Sequence, residues 1–222
     1  MKISAILLLF LMGMLHHGAH AAFAMDLDSV QHISKLEIGK KKKHSFSTKD
    51  RDSTLILSID TLIMQDKASL EFFGKKKVRL KVGFARIPKQ AYFIGTDGKN
   101  NGSNMEIDIH FAELGKLYVL AGGQDANNGT KTFPNGNGGQ VLLRYDKKGI
   151  HPQQENKNEE AFLLIDTRAG GYRVNAQVDL RNIYSQIGMG IRSGSGRLGG
   201  VPQGQIYSGS PGRDGKAEVE AY

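Results

Sequence analysis

Three stretches, LILSIDTLIM (residues 55–64), VRLKVGFARI (78–87) and MEIDIHFAEL (105–114), lie over one another without gaps. Each alternates apolar with polar residues and then continues into a second apolar run, the period-two pattern of strands with one buried face. Superposed, they put Leu55, Val78 and Met105 in one inward column, with Leu57, Leu80 and Ile107 in the next. Ile59, Val82 and Ile109 form a third, followed by Leu62, Ala85 and Ala112 and then Met64, Ile87 and Leu114. The outward residues between them include Ser58, Lys81 and Asp108. The offsets are 23 residues (55 to 78) and 27 residues (78 to 105), and the polar loop 96–104 absorbs the difference. Insertions that collect in turns while strands keep register are the mark of a stacked repeat.

The chain is therefore expected to be all-β, a short right-handed parallel β-helix (β-solenoid) with Gly/Asn-rich loops. A β-sandwich is the alternative, since it too has many short strands bounded by turns. It gives no reason for three consecutive strands and their following segments to match.

Residues 1–24 read as a cleaved secretory signal, with Lys2, an apolar run from Ile3 to Leu15 and small residues at Ala19, Ala21, Ala22 and Ala24. The apolar run is shorter than the roughly 18 to 20 residues of a spanning helix. Residues 25–222 are expected to form one solenoid domain: an N-terminal cap at 25–53, regular coils at 54–123 and degenerate, loop-rich coils at 124–222. The cap carries strand-like runs at 32–38 and 44–47, and the last part carries runs at 141–145 and 162–165 and an alternating tail from Lys216. A turn is expected at 183–189, and glycine recurs without a fixed period over 188–215. The tail ends in Tyr222, as an outer-membrane barrel can, but Tyr222 falls on the face of Glu218 and Glu220, which is the wrong register for lipid.

The chain has no cysteine, which removes disulfides, thiolate metal sites, a cysteine nucleophile and bacterial lipid attachment together. Export from a bacterium, to the periplasm or beyond, fits a secreted chain of this kind. The core alone must hold it together, and its length suffices for that.

The run from Leu55 to Gly139, with AGGQDANNG (121–129), NGNGGQVLLRY (135–145) and then LLIDTRAGG (163–171), resembles secreted bacterial glycine-rich β-helix proteins, often labelled collagen-like. The resemblance covers Leu55 to Gly215 and implies β-coils that project glycine-rich loops. Most members of that family have no assigned activity, so it implies a fold more than a function. Here Asn, Lys, Gln and Ser dilute the glycines, and segment 122–139 is expected to lie on the surface.

Lysine and arginine outnumber aspartate and glutamate by 30 to 22. Lysines cluster at Lys40, Lys41, Lys42 and Lys43, at Lys75, Lys76 and Lys77, and at Lys147 and Lys148. Such clusters suit an acidic glycan or an anionic cell surface; the bland alternative is a set of solubilising turns that guard strand edges. Arg79 and Lys81 are discounted as ligand contacts, because the column alignment sets them against Glu106 and Asp108 one rung away, about 4.8 Å.

Chemistry beyond charge finds little support. Residues 97–108 loosely follow a calcium loop, but Lys99 stands at a ligand position, and an Asn/Gly turn is the better reading, as it is for 125–129. His32, His44, His110 and His151 match no zinc spacing. Asp60 and His110 share a column across Gly83, which could leave a groove, but no second acid is placed for glycoside hydrolysis. Tyr92, Phe93 and Tyr118 could stack on sugars, yet aromatics at strand spacing more often pack. The expectation is a secreted, non-enzymatic, glycan-binding solenoid without cofactor, metal, transmembrane segment or specific nucleic-acid partner. It would be adhesin-like or envelope-associated, a virulence factor among the possible roles. The alternative is a polysaccharide- or cell-wall-degrading enzyme with a groove along the coils.

Overall fold

The computed structural model describes residues 30–47, 53–126, 133–171 and 210–222. The signal segment, the turn at 183–189 and residues 127–129 lie outside the described residues, as do most of the glycines in 188–215. No described residue is helical, and none belongs to a helix long and apolar enough to cross a membrane.

The described strands are β1 (Val30–Ile38), β2 (Lys43–Ser47), β3 (Thr54–Met64), β4 (Ala68–Phe73), β5 (Lys77–Thr96), β6 (Asn104–Leu120), β7 (Val141–Tyr145), β8 (Phe162–Asp166) and β9 (Ala217–Ala221). Every pairing between them is parallel, and the main order is β1-β3-β5-β6-β7-β9. A second face stacks β2 on β4, β4 on the end of β5, and β8 on the end of β6. The chain is thus a short parallel β-solenoid. β5 and β6 run unbroken through the corner that turns separate in the coils above and below.

The expected inward columns hold on the first face: Leu55, Val78, Met105 and Val141 stack, as do Leu57, Leu80, Ile107 and Leu143. All eight are buried. The second face adds Ala68, Ala91, Leu117 and Leu163, and then Leu70, Phe93 and Val119, also buried. Taking a large aliphatic side chain out of water is worth about 1.5 to 3 kcal/mol, so these columns are the main favourable term holding coils in register. Ala112 departs from expectation. Gly83 and Phe84 together oppose His110, a bulge that brings Phe111 rather than Ala112 beside Ala85. Gly83 sits where a Cβ would lie 3.0 Å from the Asp60 carbonyl oxygen.

The stretch expected as a non-repeating cap is itself a coil where it is described. β1 pairs with β3 and β2 with β4 at one shared offset, Val30 with Ile56 and Lys43 with Ser69. Its polar Gln31 stands in the column of Leu57, which hides the repeat in the sequence.

The described part of segment 122–139 lies largely at the surface, as expected, but the glycine segments pack on one another rather than standing as separate loops. Residues 100–103, 121–126, 134–140, 167–171 and 210–216 run side by side and bond through their backbones. Gly102 N donates to Asn137 O (2.9 Å), Gly123 N to Arg168 O (2.8 Å), Gly136 N to Gln124 O (2.8 Å) and Gly170 N to Gly136 O (2.9 Å). Buried Asn100 ties the group together, its amide donating to the carbonyls of Asp125 (3.2 Å) and Pro134 (3.0 Å). Backbones approach so closely that a Cβ on Gly136 would overlap the Asn100 carbonyl, and one on Gly138 the Thr167 carbonyl. Extended segments satisfied only by their neighbours need glycine at such contacts, as a collagen axis does.

Gly136→Ala is therefore expected to destabilise the fold by about 2 kcal/mol or more, read from the urea unfolding midpoint. Gly39→Ala, whose Cβ would meet nothing closer than Lys42 Cγ at 3.6 Å, should leave the midpoint nearly unchanged.

Candidate polyanion-binding surface

Parallel stacking decides which charges are neutralised. On the outer side of the first face Arg79 stacks on Glu106 and reaches it at 3.4 Å. Arg144, one coil further, forks to Glu106 (2.7 Å) and Asp108 (2.6 Å). The two carboxylates hold its guanidinium pKa above the ordinary value, Asp108 through its hydrogen bond before all else. Arg86 meets Glu113 at 3.1 Å. Arg79 is thus in the expected ladder, but Lys81 is not. Its register partner Asp108 is taken by Arg144, since a planar fork satisfies two carboxylates where an ammonium satisfies one.

The corner between the two faces is different. Lys40, Lys41 and Lys42 occupy the turn between β1 and β2, all exposed. Lys41 N donates to Asp66 O (2.9 Å) and Ser69 N to Lys42 O (3.0 Å), so the β2–β4 register carries back to set Lys41 beside Lys67. Both adopt the left-handed conformation, at φ 56° and 58°. Lys67 N donates to Gln90 O (2.6 Å), and Gln90 pairs with Lys116. Lys89 adjoins Gln90, with its carbonyl against Gly115. One corner of the solenoid thus carries Lys40, Lys41, Lys42, Lys67, Lys89 and Lys116 in successive coils. None of the six makes an ion pair with a described residue. Lys67, Lys89 and Lys116 are isolated in the sequence and gave no cluster signal; only register brings them together.

The other expected lysines fall elsewhere. Lys43 leaves the turn and pairs with Glu71 at 3.6 Å, a carboxylate that is itself buried and accepts from Ser69 Oγ (3.2 Å). Lys75 is 1 % exposed, so it is no surface cation; its carbonyl accepts from the Ser103 hydroxyl, and its N donates to Thr96 O at 3.1 Å. Lys76 and Lys77 are exposed at the opposite corner, after β4. Lys147 and Lys148 are exposed after β7, next to His110 rather than Lys116.

The candidate sugar-binding and catalytic residues do not converge. Tyr92 and Tyr118 lie on each other, centroids 5.4 Å apart, and Phe162 meets Tyr118 edge-on at 6.0 Å. The facing sides of the two tyrosine rings therefore serve the stack, and Phe93 is buried. Burial, then Tyr118 and Asp66, raise the Tyr92 pKa above its ordinary value. Asp60 bonds to His32 (2.9 Å), while His110 lies against Phe84 (6.2 Å) and bonds to Asp146 (3.1 Å). Phe84 fills the bulge where a groove was considered. The 97–101 loop is a turn, with Asp97 Oδ1 accepting from Lys99 N (2.7 Å) and Asn101 N (3.1 Å).

Asp146 accepts from the Lys148 backbone N at 2.8 Å, and that bond, more than His110, holds its carboxyl below the ordinary 3.8 against the opposite pull of partial burial. A carboxyl depressed in the folded state stabilises above its unfolded pKa, and the contribution disappears as pH falls through the folded one. The stability difference between the parent and Asp146→Asn should accordingly be largest at neutral pH and close in acid below the usual carboxylate range, measured by urea unfolding across pH. A pH-independent difference would contradict it. Scans against protein-family models, curated proteins and solved structures find nothing that matches this chain.

Proposed function

We propose that this chain is a secreted, non-enzymatic β-solenoid that binds an acidic glycan or another polyanionic surface, in an adhesin-like or envelope-associated role. The observation that carries the reading is the segregation of its cations. Those on the sheet face are largely matched by carboxylates, whereas those of one corner form a file with no ion pair among the described residues. Unpaired cations on a ridge attract a linear polyanion along its length. Lys76, Lys77, Lys147 and Lys148 stand apart from that file as lesser contacts. Secretion rests on the leader sequence. A glycan is favoured over single-stranded nucleic acid because the aromatic pair beside the corner, Tyr92 and Tyr118, is half-buried and stacked on itself rather than spaced to receive successive bases.

The triple variant Lys41→Gln, Lys67→Gln, Lys116→Gln is expected to weaken binding to immobilised heparin roughly tenfold or more and to lower the salt needed for elution. Lys99→Gln, Lys157→Gln, Lys216→Gln removes the same charge from other exposed sites and should shift elution much less. Equal shifts would reduce the effect to net charge, and no shift in either would reject polyanion binding.

A further inference from the structure

Among the described residues β9 pairs with β7 alone, so no described strand covers its other edge. In parallel pairing, alternate residues of a strand bond to alternate sides. Lys216 O accepts from Val141 N (2.8 Å), Tyr222 N donates to Tyr145 O (3.0 Å), and Tyr222 O accepts from Lys147 N (3.2 Å). The outward-facing residues of this strand therefore bond to β7. The N–H and C=O groups of Ala217, Val219 and Ala221 point to that other edge.

Side chains indicate what would fit there. Ala217, Val219 and Ala221 continue the inward columns of Val141, Leu143 and Tyr145. Ala217 and Ala221 are nevertheless exposed and Val219 only half-buried, so these columns remain uncovered. Glu218 and Glu220 continue the outward columns: Glu220 completes an alternation of charge after Lys81, Asp108 and Arg144, whereas Glu218 follows Arg79, Glu106 and the uncharged Leu142. Arg144 turns to Glu106 and Asp108, and neither Glu218 nor Glu220 has an ion pair among the described residues.

We propose that this edge is a strand-addition site for an extended segment of a partner protein that alternates basic with aliphatic residues. It would lie parallel to β9, aliphatics covering Ala217, Val219 and Ala221, bases opposite Glu218 and Glu220. The chain holds the same arrangement internally, for Val78, Arg79, Leu80, Lys81 and Val82 stack in this way on Met105, Glu106, Ile107, Asp108 and Ile109. Pairing with β9 of a second copy is disfavoured, because it sets glutamate against glutamate. The site is acidic and independent of the lysine corner.

The test titrates a peptide with the sequence of residues 77–83 into the full chain, followed by calorimetry and amide exchange. Saturable binding should protect the amides of Ala217, Val219 and Ala221. The peptide with its Arg and second Lys changed to Glu should bind roughly tenfold more weakly, and Glu218→Lys with Glu220→Lys should reverse that preference. Val219→Pro removes an N–H that β7 does not use, so it should weaken binding with the thermal unfolding midpoint retained. A peptide N-methylated on the backbone donors it would offer keeps its charge but loses the ladder, and it should not bind. Equal binding of the methylated and parent peptides would reduce the effect to charge attraction and overturn the proposal, as would no binding of either.

Discussion

Every feature of this protein depends on the in-register parallel stacking of its coils. Because each residue sits one rung from its counterpart, a choice made in one coil constrains the next, both inward and outward. Inward, Leu57, Leu80, Ile107 and Leu143 form a continuous apolar file. A shift of one residue would turn every member of that file to solvent. Outward, the same register brings Arg79, Glu106, Asp108 and Arg144 within ion-pair distance. Exposed pairs of this kind add little stability singly, but they fix which charges are matched.

The corners escape that matching. Turns absorb the length differences between coils, and the residues there are chosen for conformation and solvation rather than for a rung partner. Lys41 and Lys67 repeat one left-handed turn position, and Lys116 continues their line through Gln90. An unmatched basic file thus follows from the architecture with no pocket required. The β9 edge carries the opposite sign, since Glu218 and Glu220 have no ion pair among the described residues and Arg144, the base next to Glu220 in its column, is engaged by Glu106 and Asp108.

The sequence made the sheet legible and the corners illegible, for one physical reason. Period-two alternation carried through three gapless stretches reveals the inward columns, so Leu55, Val78 and Met105 align from sequence alone. Nothing in the alternation marks the bulge at Gly83 and Phe84, where inward parity resets and Phe111 displaces Ala112. Lys75 reads as one of three solvated lysines, and only the packing of the turn around it shows that it is buried. Lys67, Lys89 and Lys116 are each unremarkable locally, because their proximity is created by stacking. Glycine content suggested loose loops for a similar reason: the mutual satisfaction of Gly136, Gly170 and their neighbours is a long-range property.

The most direct test of this account is to observe the lysine ammonium groups by NMR while a defined acidic oligosaccharide is added. Resonances of Lys40, Lys41, Lys42, Lys67, Lys89 and Lys116 should shift together and saturate at one concentration, while those of Lys43 and Lys75 stay in place. Shifts spread evenly over all exposed lysines, or centred on Lys76 and Lys77 at the opposite corner, would contradict it.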